Sequence, residues 1–139
     1  MRRIHIAIFT ILLGTAVSAA NWPQWRGPEL NGGSAERGLP RSWSPSEGIP
    51  WKLPMPSRSG ATPIIWGDLV FLNVATEEFT GGLELWAVDR KTQQVAWKKP
   101  LAGGNKRGRK QNMSSPCPLT HGRTGGGVTG GRNVQDILL

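Results

Sequence analysis

A single cysteine, Cys117, in 139 residues excludes an internal disulfide framework and leaves the chain without a pair of adjacent cysteines. Acidic residues are also scarce. Nine Asp and Glu stand against seventeen Lys and Arg, for a formal net charge of +8. Lys98, Lys99, Lys106, Arg107, Arg109 and Lys110 crowd into one stretch that contains no aromatic residue. A single-stranded nucleic-acid site needs stacking platforms beside its cations, so no specific nucleic-acid binding is expected there. The stretch reads as a solvated loop. Lys106, Arg107, Arg109 and Lys110 are its candidate contacts for an anionic partner.

Long apolar runs are missing too. The longest, Ile4 to Val17, falls short of the ~18 residues that a membrane-spanning helix needs. It follows Met1-Arg2-Arg3 and leads into Ser18-Ala19-Ala20. A basic start, a short apolar stretch and small residues at the end make a secretory signal peptide over 1–20, cut after Ala19 or Ala20. The expectation is export to a bacterial periplasm or cell envelope, with no transmembrane segment after cleavage. No cysteine near the end of the run offers a lipid attachment point there. Loss of Arg2 and Arg3 lowers the charge to +6.

Several chemistries lack their residues. Gly125-Gly126-Gly127-Val128-Thr129-Gly130 has the G-x-G-x-x-G form, but no apolar strand precedes it and no acidic residue follows ~20 positions on. Ser114, Ser115 and His121 stand outside any nucleophile-elbow pattern. Cys117 and His121 have the spacing of two zinc ligands but lack the other two, so Cys117 is expected to be a free, half-buried thiol. Asn112-Met113-Ser114 is a glycosylation sequon, relevant only in a host that glycosylates exported chains.

What is abundant is glycine (19) and proline (11), together more than a fifth of the chain. That usage favours turn-rich β structure or partial disorder over helix. Asn21-Trp22-Pro23-Gln24-Trp25-Arg26-Gly27-Pro28 reads as an extended segment, because each proline removes a donor and fixes φ. The stretch 21–48 is an extended segment and loop. Strands are expected at Trp51–Leu53, Ala61–Trp66, Leu69–Val74, Leu83–Asp89 and Gln94–Trp97, with turns at Gly67-Asp68 and Arg90–Gln93.

Two short phrases recur. Ile49-Pro50-Trp51-Lys52-Leu53-Pro54 returns as Val95-Ala96-Trp97-Lys98-Lys99-Pro100, with the tryptophans 46 residues apart. Pro63-Ile64-Ile65-Trp66-Gly67 returns as Pro118-Leu119-Thr120-His121-Gly122, 55 residues on. Periods of ~40–50 residues with short strands indicate β-propeller blades. The fold expected is all-β: propeller repeats over 49–122, about one full blade and the start of a second, in an incomplete ring. Residues 123–139 show no strand period and are expected to form an irregular Gly-rich tail, from a truncated or frame-shifted relative of a longer protein.

Ala87-Val88-Asp89-Arg90-Lys91-Thr92-Gln93-Gln94-Val95-Ala96-Trp97 resembles the tryptophan-docking motif, Ala-x-Asp-x-x-Thr-Gly-x-x-x-Trp, of the pyrroloquinoline-quinone-type (PQQ-like) β-propeller family. Ala87, Asp89, Thr92 and Trp97 match, and Gln93 replaces the glycine of the turn. That glycine supplies a positive φ, so Gln93 is expected to strain or reshape the turn. The resemblance implies that Trp97 locks one blade to its neighbour. Asn21–Pro28 and Met113–Pro118 extend the likeness. It implies an exported scaffold without catalytic residues or cofactor, resembling outer-membrane assembly-type propeller proteins that present loops to envelope proteins. The alternative it carries is the N-terminal part of a quinoprotein dehydrogenase holding PQQ and calcium.

Overall fold

The computed structural model describes residues 20–105 and 113–122, with the backbone of two further strands at 124–128 and 134–138. Seven strands appear: β1 (Ile64–Trp66), β2 (Leu69–Ala75), β3 (Gly82–Asp89), β4 (Gln94–Gly103), β5 (Leu119–Thr120), β6 (Thr124–Val128) and β7 (Val134–Leu138). β1 to β4 form an antiparallel four-stranded sheet in chain order, and β5 to β7 form a three-stranded one. The described residues contain no helix. None of them therefore makes a helix long and apolar enough to cross a membrane.

The turns follow local chemistry. Gly67-Asp68 joins β1 to β2 as a two-residue hairpin, with Trp66 opposite Leu69. Gly67 takes φ 58°, and glycine at the first central position fits a II′-type connection. Two positions in the β3–β4 ladder break register, between Leu83 and Glu84 and between Ala87 and Val88. Ala87 faces Trp97 while Val88 faces Val95, so β4 carries one extra residue, Ala96, at a bulge that bends the strand.

The core lies on one face of the first sheet. Ile64, Phe71, Ala75, Leu83, Leu85, Ala87 and Leu101 form it, with Trp66, Leu69, Trp97 and Met113 packed on its margin. Leu83-Glu84-Leu85 alternates inward and outward as a half-buried strand should. The opposite face is also largely covered, with Val74, Trp86 and Val88 buried. Trp86 Nε1 donates to Glu84 Oε2 at 2.6 Å, and Lys98 Nζ lies 3.8 Å from the Trp86 ring centroid. The indole is thus held by a carboxylate at its edge and a cation on its face.

Three expectations need correction. Trp51–Leu53 forms no strand. Pro50 and Pro54 bracket it and can donate nothing to a ladder. The edge of β1 is taken instead by Trp22, whose N–H and C=O both bond Ile65 at 2.8 Å. Lys98 and Lys99 do not belong to a loop, because β4 runs on through them to Gly103. They and Pro100 stand on a sheet edge, where charge and a missing donor discourage further pairing. Finally, the tail is not irregular throughout. Thr124–Val128 pairs with both Leu119–Thr120 and Val134–Leu138. A glycine run has no side-chain period to show, yet its backbone donors and acceptors pair all the same.

Candidate functional site

The turn after β3 is built by one carboxylate. Asp89 Oδ1 accepts from the N–H of Lys91 at 2.8 Å and of Thr92 at 2.9 Å, and the Asp89 carbonyl accepts from Gln93 N at 2.8 Å. Asp89 thus closes its own turn, as aspartates in such loops do. The backbone donors of Thr92 and Lys91 hold its carboxyl below the usual carboxylate range. Across the hairpin ends, Asp68 accepts Arg90 N through its carbonyl at 3.0 Å and Lys91 Nζ through Oδ2 at 2.6 Å. The Asp68 partner raises the Lys91 ammonium above its ordinary value.

A lowered carboxyl pKa in the folded state stabilises only above the unfolded value, near ~3.9, and that contribution fades as pH falls through the folded value. We expect thermal unfolding of the native chain and of Asp89→Asn to differ at pH 7, and the gap to narrow progressively as pH falls below the ordinary carboxylate range. A gap that stays constant throughout the acid titration would contradict this role for Asp89.

Gln93 takes φ 63°, as expected of the position where the docking motif has glycine. A left-handed residue with a Cβ costs about 1–2 kcal/mol, and glycine returns about 0.5–1 kcal/mol of that as backbone entropy. Gln93→Gly should therefore stabilise by roughly 0.5–1 kcal/mol, read as a higher denaturant midpoint at constant m. A lower midpoint would refute the strain.

Ala87 and Trp97 occupy one row of the sheet. Ile64, Phe71, Ala87 and Trp97 are successive partners across all four strands. Ala87 is fully buried between the two aromatic positions and is the smallest residue in the row. It leaves room for the Phe71 and Trp97 rings to approach to 5.9 Å, tilted by 52°. Lys99 Nζ stands 5.0 Å from the Trp97 centroid. So the sequence-picked residues do come together, but the ring contact Trp97 makes is with its own sheet.

The join between the sheets involves Trp22, Trp66 and Gly122, all in segments that the sequence set apart, though not as partners of one another. A Cβ on Gly122 would lie 2.5 Å from the Trp66 indole, so this ring sits directly on the backbone beside β5. Pro23 O accepts from Thr120 N at 2.9 Å, one residue after Trp22 has paired with Ile65. The Asn21–Pro23 segment therefore bonds β1 of one sheet and β5 of the other. Gly27 admits the Trp22 ring in the same way, with a Cβ position only 2.7 Å from it. Trp25, in contrast, is 59% exposed, with Arg26 5.7 Å from its ring centre. The sequence signal for these contacts was present as Trp-x₄-Gly at 22–27 and as the Trp66 and Gly122 ends of the repeated phrase.

A second set of contacts has one spacing. Ser59 Oγ donates to Ser114 O at 3.0 Å, and Thr62 N donates to Cys117 Sγ at 3.1 Å. A Cβ on Gly60 would meet Ser115 Oγ at 3.3 Å. Each pair is 55 residues apart, the same interval as Pro63 to Pro118. Asn73 Nδ2 adds a bond to Pro116 O at 2.6 Å, and Asn105 ties Glu77 O to Met113 N. A cleft of about 180 Å³ opens here between the 55–61 segment and Leu72–Val74. Ser59 and Asn73, which line it, spend these donors on the neighbouring segment rather than on the opening.

The chain matches no known protein family, no curated protein and no solved structure.

Ser114 is buried and His121 is exposed. Cys117 is a half-buried free thiol. Among the described residues no three of His, Cys, Asp and Glu converge as a metal site would need. Lys106, Arg107, Arg109 and Lys110 lie outside the described residues. The two sheets are joined by the Trp66 ring seated on Gly122 and by the Asn21–Pro23 backbone.

Proposed function

We propose that the chain is a PQQ-like β-propeller repeat protein, exported to the cell envelope, and that it serves as a non-catalytic scaffold for protein partners. The observation that carries this reading is the run of contacts at the 55-residue interval. Residues in equivalent positions of successive units touch one another where units are related by rotation about a nearby axis. Ser59 with Ser114 and Thr62 with Cys117 are such pairs. The first sheet supports it further: four antiparallel strands in chain order make the shape of a blade.

The scaffold role rests on the absorbed chemistry of the described polar groups and on the cationic stretch of the sequence. Export is tested by expressing the full chain in a bacterial host and fractionating it; retention in the cytoplasm would overturn that part. The scaffold role is tested by adding PQQ and calcium. No bound-quinone absorbance and no dye-linked alcohol oxidation are expected, and either signal would favour a dehydrogenase. Cross-linking in envelope fractions should recover partners in the native chain and fewer with Lys106, Arg107, Arg109 and Lys110 all changed to alanine. Equal recovery would remove the basic stretch from the interface.

A further inference from the structure

We propose that Asn31 is a site of spontaneous deamidation, and that the bonded loop 26–33 holds the reaction back until the loop opens. An asparagine amide is lost when the next backbone nitrogen attacks it. The attack is easiest where that next residue is glycine and brings no Cβ into the way. Asn31-Gly32 is the single Asn-Gly pair in the sequence. Residues 31–33 are all exposed, whereas Asn73 and Asn105 are buried. Nothing lies within 4 Å of a Cβ position on Gly32, so ring closure there meets no neighbour.

The loop primes one reactant and withholds the other. Gly33 N donates to Asn31 Oδ1 at 2.7 Å, an Asx turn that folds the side-chain amide back over the Gly32 peptide. The same bond draws electron density from the amide carbon. The attacking nitrogen, however, is engaged: Gly32 N donates to Arg26 O at 2.9 Å. Its proton must leave before it can attack, and that bond keeps the proton in place. Leu30 N donates to Gly27 O at 3.2 Å and Arg26 Nη2 to Asn31 O at 3.5 Å, closing the loop further. Its anchor is Trp22, whose ring sits on Gly27 and whose backbone pairs with Ile65 of β1. Exposed loops open locally at much lower cost than global unfolding. On opening, hydroxide takes the Gly32 proton and the nitrogen attacks Asn31 Cγ. The bond from Cγ to the amide nitrogen breaks and ammonia leaves. The cyclic imide then takes up one water. Hydrolysis at Cγ gives aspartate; hydrolysis at the Asn31 main-chain carbonyl carbon gives isoaspartate. Either product adds a carboxylate near Arg26 and lowers the net charge by one.

The test incubates the full chain at mildly alkaline pH, folded and in urea, and follows the tryptic peptide Gly27–Arg37 by mass spectrometry. In urea this peptide is expected to gain the mass of deamidation before any other, with isoaspartate among its products, which direct hydrolysis of the amide cannot form. In the folded chain the rate should be lower by at least about tenfold. Gly27→Ala drives a Cβ into the Trp22 ring and should recover most of that difference. Urea below the global unfolding transition should accelerate the reaction in the native chain as well, and this series decides the matter if Gly27→Ala does not fold. No mass gain in urea, or aspartate without isoaspartate, overturns the site. Equal rates in the folded chain and in urea overturn the restraint by the loop. A rate that rises only with global unfolding overturns local opening as its gate.

Discussion

Gly122→Ala is expected to destabilise the protein by about 2–4 kcal/mol, measured by chemical denaturation. Two costs combine. Gly122 takes φ 98°, a conformation that residues with a Cβ rarely adopt, and its Cβ would meet the Trp66 ring at 2.5 Å. Gly67→Ala is the control, because Gly67 also has a positive φ but nothing within 4 Å of its Cβ position. Gly67→Ala should cost only about 1–2 kcal/mol, from backbone strain alone. The excess at Gly122 then measures the ring contact between Trp66 and the chain beside β5. Trp66→Ala introduced together with Gly122→Ala should remove that excess, so the two changes should be markedly less than additive. Equal costs at the two glycines would mean that Trp66 does not press on Gly122.

Trp97→Ala should cost about 2–4 kcal/mol even in the monomeric chain. The residue is half-buried on the margin of the core and faces Phe71 across Ala87. The aromatic pair itself should contribute about 0.5–1.5 kcal/mol of coupling in a double-mutant cycle with Phe71→Ala. The size of the loss decides what the tryptophan does. A tryptophan that serves only to lock one unit against another would lose less than ~0.5 kcal/mol in an isolated chain and would show no coupling to Phe71. The bulge at Ala96 enters the same argument. It sets Trp97, rather than Ala96, opposite Ala87. Deleting Ala96 would bring Trp97 directly after Val95 and still opposite Ala87, so it should remove the bend of the bulge while keeping the contact with Phe71.

Much of the first sheet could be read from residue order. Leu69–Val74 and Leu83–Asp89 are apolar-rich runs that form strands, and Gly67-Asp68 and Arg90–Gln93 are the turns between them. These features are local: a glycine where φ turns positive, an aspartate able to bond its own loop, a run of β-branched residues. Asp89 behaves as its type requires because its partners lie within four residues. The recurrence of Pro63–Gly67 at Pro118–Gly122 was legible for the same reason, since a repeat needs no knowledge of contacts.

Residue order alone determined that the chain has no disulfide framework, that its cations crowd into one stretch, and that its strands begin and end where they do around Leu69 to Gln93. The tertiary structure decided which partner each segment takes. Trp22, rather than Trp51, lies along β1, its N–H and C=O both bonded to Ile65. Trp66 meets Gly122, Ser59 meets Ser114, and Ala20 meets Glu36, all across gaps that no sequence window spans. The glycine run at 124–128 became a strand only because two other segments offered it backbone partners. Hydrogen bonds and ring contacts between distant segments depend on where folding brings the backbone, and side-chain pattern carries that information only for neighbours.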